Sequence, residues 1–207
     1  FITGEICSYD AIVDSHGNPL VESMTVWPPS IMDIVNKQLD LSYYVDKQIP
    51  DNLKDLGRKT VKAFGVFSRF VHLEFFRLDS RYEGLGDKGD FVALEVNMRP
   101  AGGYTPDMIN FAHSTDVYKI WADMVAFDES RTEQGVQYYC AFASRRDIYN
   151  YVHSHEEVLQ RYDARLVMCE RMPELFKAAM GQQMYTVRLD TMEDVEEFVH
   201  FVHDKIQ

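Results

Sequence analysis

Glu95, Asn97 and Arg99 stand two apart in FVALEVNMRPAGGYTPD, residues 91–107. Strand side chains alternate, so a strand here puts a carboxylate, an amide and a guanidinium on one face, with Leu94, Val96 and Met98 opposite. The next residues, Pro-Ala-Gly-Gly, break the strand, and Gly102 and Gly103 let backbone come close to a substrate. A second carboxylate, Glu74, lies in FVHLEFFRLD, residues 70–79, where His72, Glu74 and Phe76 share a face. Carboxylate and amide oxygens are hard ligands, suited to Mg²⁺ or Mn²⁺ and not to zinc. Mg²⁺ held by one or two carboxylates usually completes its shell with water and substrate phosphates. Arg99 beside such a site can take a phosphate oxygen or a developing negative charge. The alternative is an ordinary solvated sheet face.

Positioning these groups needs two paired strands. The segments 70–79 and 91–98 flank a polar, Gly-rich loop, SRYEGLGDKG, so antiparallel pairing is the direct topology. With residue 79 opposite residue 90, Glu74 falls opposite Glu95. Two facing carboxylates repel and raise each other's pKa unless a cation sits between them.

The remaining chain reads as α+β. Residues 1–13 and 19–27 alternate as strands about a DSHGN turn, forming a hairpin. Ser30 can cap a short helix to about Leu39, Pro50-Asp51 open a longer one, and Asp116 or Ser114 caps a helix to about Phe127. The polar stretch DESRTEQG (128–135) marks a boundary, giving parts 1–130 and 131–207. In the second part, strands are expected at 136–143, 164–171 and 184–189, with short helices at HEEVLQRY and PELFKAAM and a terminal helix capped by Thr191.

The chain has 207 residues, is 46% hydrophobic and carries a net charge of −12. That charge argues against nucleic-acid binding, which needs an excess of Lys and Arg. No apolar run approaches a membrane span. Three cysteines, far apart and without a Cys-x-x-Cys, fit a reduced, cytoplasmic protein. His200 and His203 share a face of the last helix, where a solvated or half-buried surface outweighs a metal site. His72 is open to a substrate or phosphate contact, or to cross-strand packing.

LEVNMRP (94–100) resembles the Glu-x-Asn-x-Arg motif of the ATP-grasp superfamily, and FVHLEFF the preceding strand that carries that family's other metal-binding carboxylate. FITGEICSYDAIVDSHGNPL is similar to the strand after the adenine hinge, with Gly4, Ser8 and Asp10 in a Gly-x-x-x-Ser-x-Asp pattern. The resemblance covers roughly residues 1–127. It implies an ATP-grasp C-terminal lobe, an antiparallel sheet flanked by helices, followed by a small C-terminal α+β subdomain. It further implies ATP-dependent carboxylate–amine ligation through an acyl phosphate. Glu74, Glu95 and Asn97 would hold Mg²⁺ (or Mn²⁺), Arg99 would steady the transferring phosphoryl group, Phe1 and Ile2 would lie at the adenine hinge, and Phe76 would floor the adenine pocket. The loop with Gly102 and Gly103 would border the second substrate. The partners implied are a small carboxylate and an amine. The family's small lobe, with its phosphate-gripping lysines, would precede Phe1, so these residues alone are expected to bind ATP poorly. Carbamoyl-phosphate synthase or carboxylase chemistry, and a non-catalytic module binding a cation or a partner, are the rival readings. Residues 136–207 show no chemistry of their own and are left with capping the core, contacting a substrate or forming a homodimer surface.

Overall fold

The computed structural model describes residues 2–28 and 31–206. In chain order its elements are β1 (Gly4–Val13), β2 (Pro19–Val26), α1 (Ile31–Lys37), β3 (Ser42–Val45), α2 (Asp51–Ala63), β4 (Arg69–Leu78), β5 (Phe91–Asn97), α3 (Thr105–His113) and α4 (Val117–Phe127). There follow β6 (Tyr139–Arg145), α5 (His155–Tyr162), β7 (Leu166–Arg171), a 3₁₀ turn (Glu174–Phe176), α6 (Lys177–Met180), β8 (Gln183–Leu189) and α7 (Met192–His203). The chain divides into two compact units, residues 1–29 with 45–137 and residues 30–44 with 138–207.

In the first unit the strands run in the order β5-β4-β1-β2, with every neighbouring pair antiparallel. The β1–β2 turn is held by Asp14, whose carboxylate accepts the backbone N–H groups of His16 and Asn18, each at 2.8 Å. One face of the sheet is apolar: Tyr9, Met24, Leu73 and Phe75 are all buried, and α2 packs there with Leu53 and Val61. The helix sits so near that a Cβ on Gly57 would meet Tyr9 Cγ at 2.5 Å. Beneath that contact Tyr9 donates to Glu22, which also takes the Arg58 guanidinium, so strand, strand and helix share one carboxylate.

Over one end of the opposite face lies α4, with Trp121 stacked on Phe70 at 5.1 Å. Asp116 caps α4 by accepting the N–H groups of Tyr118 and Lys119. The helix α3 has no counterpart in the sequence reading, where Tyr-Thr-Pro-Asp passes for loop. Pro106 sits in its first turn, where the missing N–H costs nothing. At its other end His113, 5% exposed, donates Nδ1–H to Gln137 Oε1 and accepts the Ser23 hydroxyl at 2.9 Å, tying α3 to β2. Burial pushes the His113 pKa down, only partly offset by the Gln137 bond.

The second unit orders its strands β3-β6-β8-β7, with α5 and α7 packed on a core that includes Ala141, Tyr185, Val187, Phe198 and Val202. Strand β3 is also absent from the sequence reading. Capping boxes start both helices, Ser154 with Glu157 and Thr191 with Asp194. Arg145 is buried and donates to the carbonyls of Val202 and His153. His203 is half-buried, with its pKa lowered mainly by burial. Cys7 in the first unit and Cys140 in the second are fully buried, and burial pushes the Cys7 thiol up to about 12. Among the described residues no helix is long and apolar enough to cross a membrane.

Two outcomes follow from these contacts. Gly57→Ala gains helix propensity but drives a methyl into the Tyr9 ring, so a net loss of about 1–2 kcal/mol is expected in urea unfolding. His113 is held neutral in the fold, so its contribution is complete above the unfolded pKa of about 6.5 and lost as pH falls through the lower folded value. Wild-type stability relative to His113→Gln should be flat above neutral pH and fall below it.

Candidate functional site

Four rows of side chains cross the sheet on the face that α4 partly covers. Ile12, Val21 and Phe70 form the first row, apolar and next to the helices. The second row is Ser23, Asp10, His72 and Asn97, and the third is Thr25, Ser8, Glu74 and Glu95. Ile6, Phe76 and Val92 make the fourth, where Trp27 bonds back to the Ile6 carbonyl. Two polar rows are thus framed by apolar ones.

The pairing that sets Glu74 opposite Glu95 is not uniform along the hairpin. From the turn, Arg77 faces Phe91, Phe76 faces Val92 and Phe75 faces Ala93; then the ladder shifts by one residue and Glu74 meets Glu95. Leu94, 45% exposed, is the unpaired residue of this bulge. Directly opposed residues bring their Cβ atoms to about 5 Å, within reach of a shared cation.

Exposure rises across the rows toward the sheet edge. Asp10 and His72 are buried, the Glu74 side chain is 24% exposed and Glu95 is open. His72 Nδ1 lies 2.6 Å from Asp10 Oδ1 and Nε2 lies 3.1 Å from Glu74 Oε1. Carboxylates only accept, so both ring nitrogens donate. Burial pulls the His72 pKa down, but the bonds to Asp10 and Glu74 outweigh it and raise it to about 9. His72 therefore supplies positive charge beside Glu74. With both nitrogens taken and the ring 4% exposed, it has no free atom for the substrate contact read from sequence.

Glu95 has no hydrogen-bond or ion-pair partner among the described residues, and the side-chain nitrogen of Asn97 is buried without one. An amide's oxygen and nitrogen exchange places by a half-turn, so this position can present an oxygen to a cation. Among the described residues no group of three or more His, Cys, Asp and Glu is placed to hold a metal. The oxygen donors this face could offer are two carboxylates and an amide, a combination that would suit a hard cation keeping water and phosphate ligands and would fit poorly with zinc.

Arg99 follows β5, exposed, with Nη1 donating to the Pro100 carbonyl at 3.0 Å. Gly103 has φ +61°, a left-handed value that a glycine takes without strain, whereas Gly102 opens onto empty space. Phe76 lies one row beyond Glu74, half-buried against Ile6. Ile2 precedes β1 beside Thr3, whose N–H donates to the Tyr82 hydroxyl of the β4–β5 loop at 2.8 Å. Phe1 and Ser30 lie outside the described residues. Glu5 pairs with Arg77. Clefts of about 660 and 730 Å³ occur at the Pro19 end of β2; Glu74, Glu95 and Asn97 line neither.

Sequence reasoning singles out Glu74, Glu95 and Asn97; it meets Ser8 and Asp10 only in the Gly-x-x-x-Ser-x-Asp pattern and does not set them, with Thr25, on the same polar face. Their signal was a polar residue at alternate positions of an otherwise apolar strand.

No protein-family model matches the sequence, and no curated protein matches it. Solved structures do. An L-amino acid ligase from Bacillus licheniformis superposes with a TM-score of 0.66 at 14% identity, over 97% of this chain and 52% of that one. Phosphoribosylglycinamide synthetase from Anaerococcus prevotii gives 0.64 at 12%, over 99% and 53%. The biotin carboxylase domain of the Hydrogenobacter thermophilus 2-oxoglutarate carboxylase, solved with MgADP and bicarbonate, gives 0.59 at 13%, over 95% and 44%. The chain spans about half the length of these structures. At such identities the likeness is one of fold, and that fold, over about half the length of the enzymes that share it, is the ATP-grasp fold.

Proposed function

We propose that this chain is the metal- and phosphate-handling part of an ATP-dependent carboxylate–amine ligase that works through an acyl phosphate. The observation that carries the reading is the paired acidic row, Glu74 opposite Glu95 with Asn97 one row away, on a fold shared with ligases. In this reading Glu74, Glu95 and Asn97 hold Mg²⁺ (or Mn²⁺), which when bound neutralises charge on the phosphates of ATP. Phosphoryl transfer depends mainly on positioning and charge neutralisation.

The chain's own residues divide the remaining work. Arg99 is exposed and two residues beyond Asn97, so rotation of its side chain can carry the guanidinium from the Pro100 carbonyl to a phosphoryl or acyl-phosphate oxygen. Phe76 and Ile6 give an apolar floor beside the acidic row for the adenine ring, with Ile2 near the strand entry. The loop of Gly102 and Gly103 borders the second substrate, anchored by the buried Ala101 and by α3 behind it. The likeness to a biotin carboxylase domain supports a carboxylase-type reaction as the second reading, with the same acidic pair and a different carboxyl source. A module that merely binds a cation has no use for a guanidinium beside it.

Calorimetric titration of Mg²⁺ with ADP into the wild type and into Glu95→Ala and Arg99→Ala tests this. Metal binding that requires ADP, weakened at least about tenfold in Glu95→Ala, is the expected result. Binding indifferent both to ADP and to Glu95 would replace the ligase with a simple cation-binding module.

A further inference from the structure

A continuous chain of hydrogen bonds runs from β2 across β1 to the acidic pair. Trp27 donates its indole N–H to Ser8 Oγ at 3.0 Å, and Ser8 donates to Asp10 Oδ2 at 2.6 Å. Thr25 donates to the same oxygen at 3.0 Å. His72 donates from Nδ1 to Asp10 Oδ1 at 2.6 Å and from Nε2 to Glu74 Oε1 at 3.1 Å. Each donor in the series is used, and both Asp10 oxygens are filled. Ser8, Thr25, Asp10 and His72 are at most 5% exposed, and they lie between the half-buried Trp27 at one end and Glu74, with its side chain 24% exposed, at the other.

We propose that Asp10 and His72 are positioning residues that fix the Glu74 carboxylate against Glu95 and so set how tightly this pair takes a divalent cation. The inference rests on the proposed role of Glu74 and Glu95 as metal ligands. Three features support it. A buried Asp–His pair needs a reason to be there, because well-packed apolar residues commonly serve stability as well or better. The chain of bonds is directional: it is saturated at its buried centre, Asp10, and terminates on the one carboxylate that faces Glu95. Finally, the His72 bond occupies Oε1 alone, and Oε2 of Glu74 has no partner among the described residues. A carboxylate held by one oxygen offers the other in a fixed direction, which suits an ion as demanding of geometry as Mg²⁺. Groups that orient metal ligands in this way commonly change metal affinity by about 10- to 100-fold when removed.

The test is titration of Mn²⁺, followed by its electron paramagnetic resonance signal in the presence of ADP, into the full chain and three variants. His72→Leu removes both bonds. The His72→Gln amide reaches the place of Nε2 and can still donate to Glu74, whereas that of His72→Asn reaches only Asp10. The expected order is wild type, then Gln close behind, then Asn and Leu weaker by about tenfold or more. Thermal unfolding with chelator present reads folding separately, and a purely structural role would let Asn rescue as well as Gln. Equal Mn²⁺ affinity in all four proteins, or rescue by Asn and not by Gln, overturns the positioning role while leaving the acidic pair as a metal site. A wild type that takes up no Mn²⁺ at all removes the underlying reading and the inference with it. Should His72→Leu fail to fold, the Gln–Asn comparison decides alone.

Discussion

Between Phe75 and Glu74 the ladder of β4 and β5 steps by one residue, and Leu94 is left over. Without that step the hairpin register would continue unchanged, Glu74 would face Leu94, and Glu95 would fall opposite Leu73 on the buried face. A one-residue slip moves every following side chain to the other side of a strand. The whole acidic row therefore depends on where the ladder breaks. β5 can accommodate the break because it ends the order of strands in its unit, so only one neighbour must tolerate the extra residue. A bulge also blunts an edge strand against pairing with other chains. Strand β7, at the end of the other unit's order, carries a register shift between Leu166 and Met168 that serves the same end.

Two polar rows inside a sheet face are costly unless every group finds a partner. Here the cost is contained by the rows of Ile12, Val21 and Phe70 on one side and Ile6 and Phe76 on the other. The innermost polar groups satisfy one another through Asp10, and the need for solvent or ligand grows only toward β5. The site thus grades from a closed network to an open pair of carboxylates, with His72 at the transition.

The sequence made some of this legible and hid the rest for identifiable reasons. Period-2 alternation exposed β1, β2, β4 and β5, and the capping residues Asp116 and Thr191 marked the start of α4 and α7. The facing of Glu74 and Glu95 was expected from a register counted from residues 79 and 90. In the structure the turn-proximal pairs sit one residue off that count, and the bulge restores it. No local pattern reveals such a break. Helix α3 was hidden because Gly-Gly, Thr and Pro are loop-formers wherever they do not open a helix. Strand β3 is four residues long, too short for alternation to register. The Asp10–His72 bond joins residues 62 apart in sequence, and only the completed sheet brings them together.

The buried cysteines carry a consequence of another kind. Only a thiolate is alkylated, and a thiol that is both enclosed and pushed far above its usual pKa hardly forms one in the native state. Cys7 lies in the first unit and Cys140 in the second, each fully buried. A thiol reagent therefore reaches each only when its own unit opens. Cys7 and Cys140 thus serve as one chemical clock for each unit, and their two labelling rates, separated by digestion and mass spectrometry from that of the half-buried Cys169, report whether the units breathe together or apart.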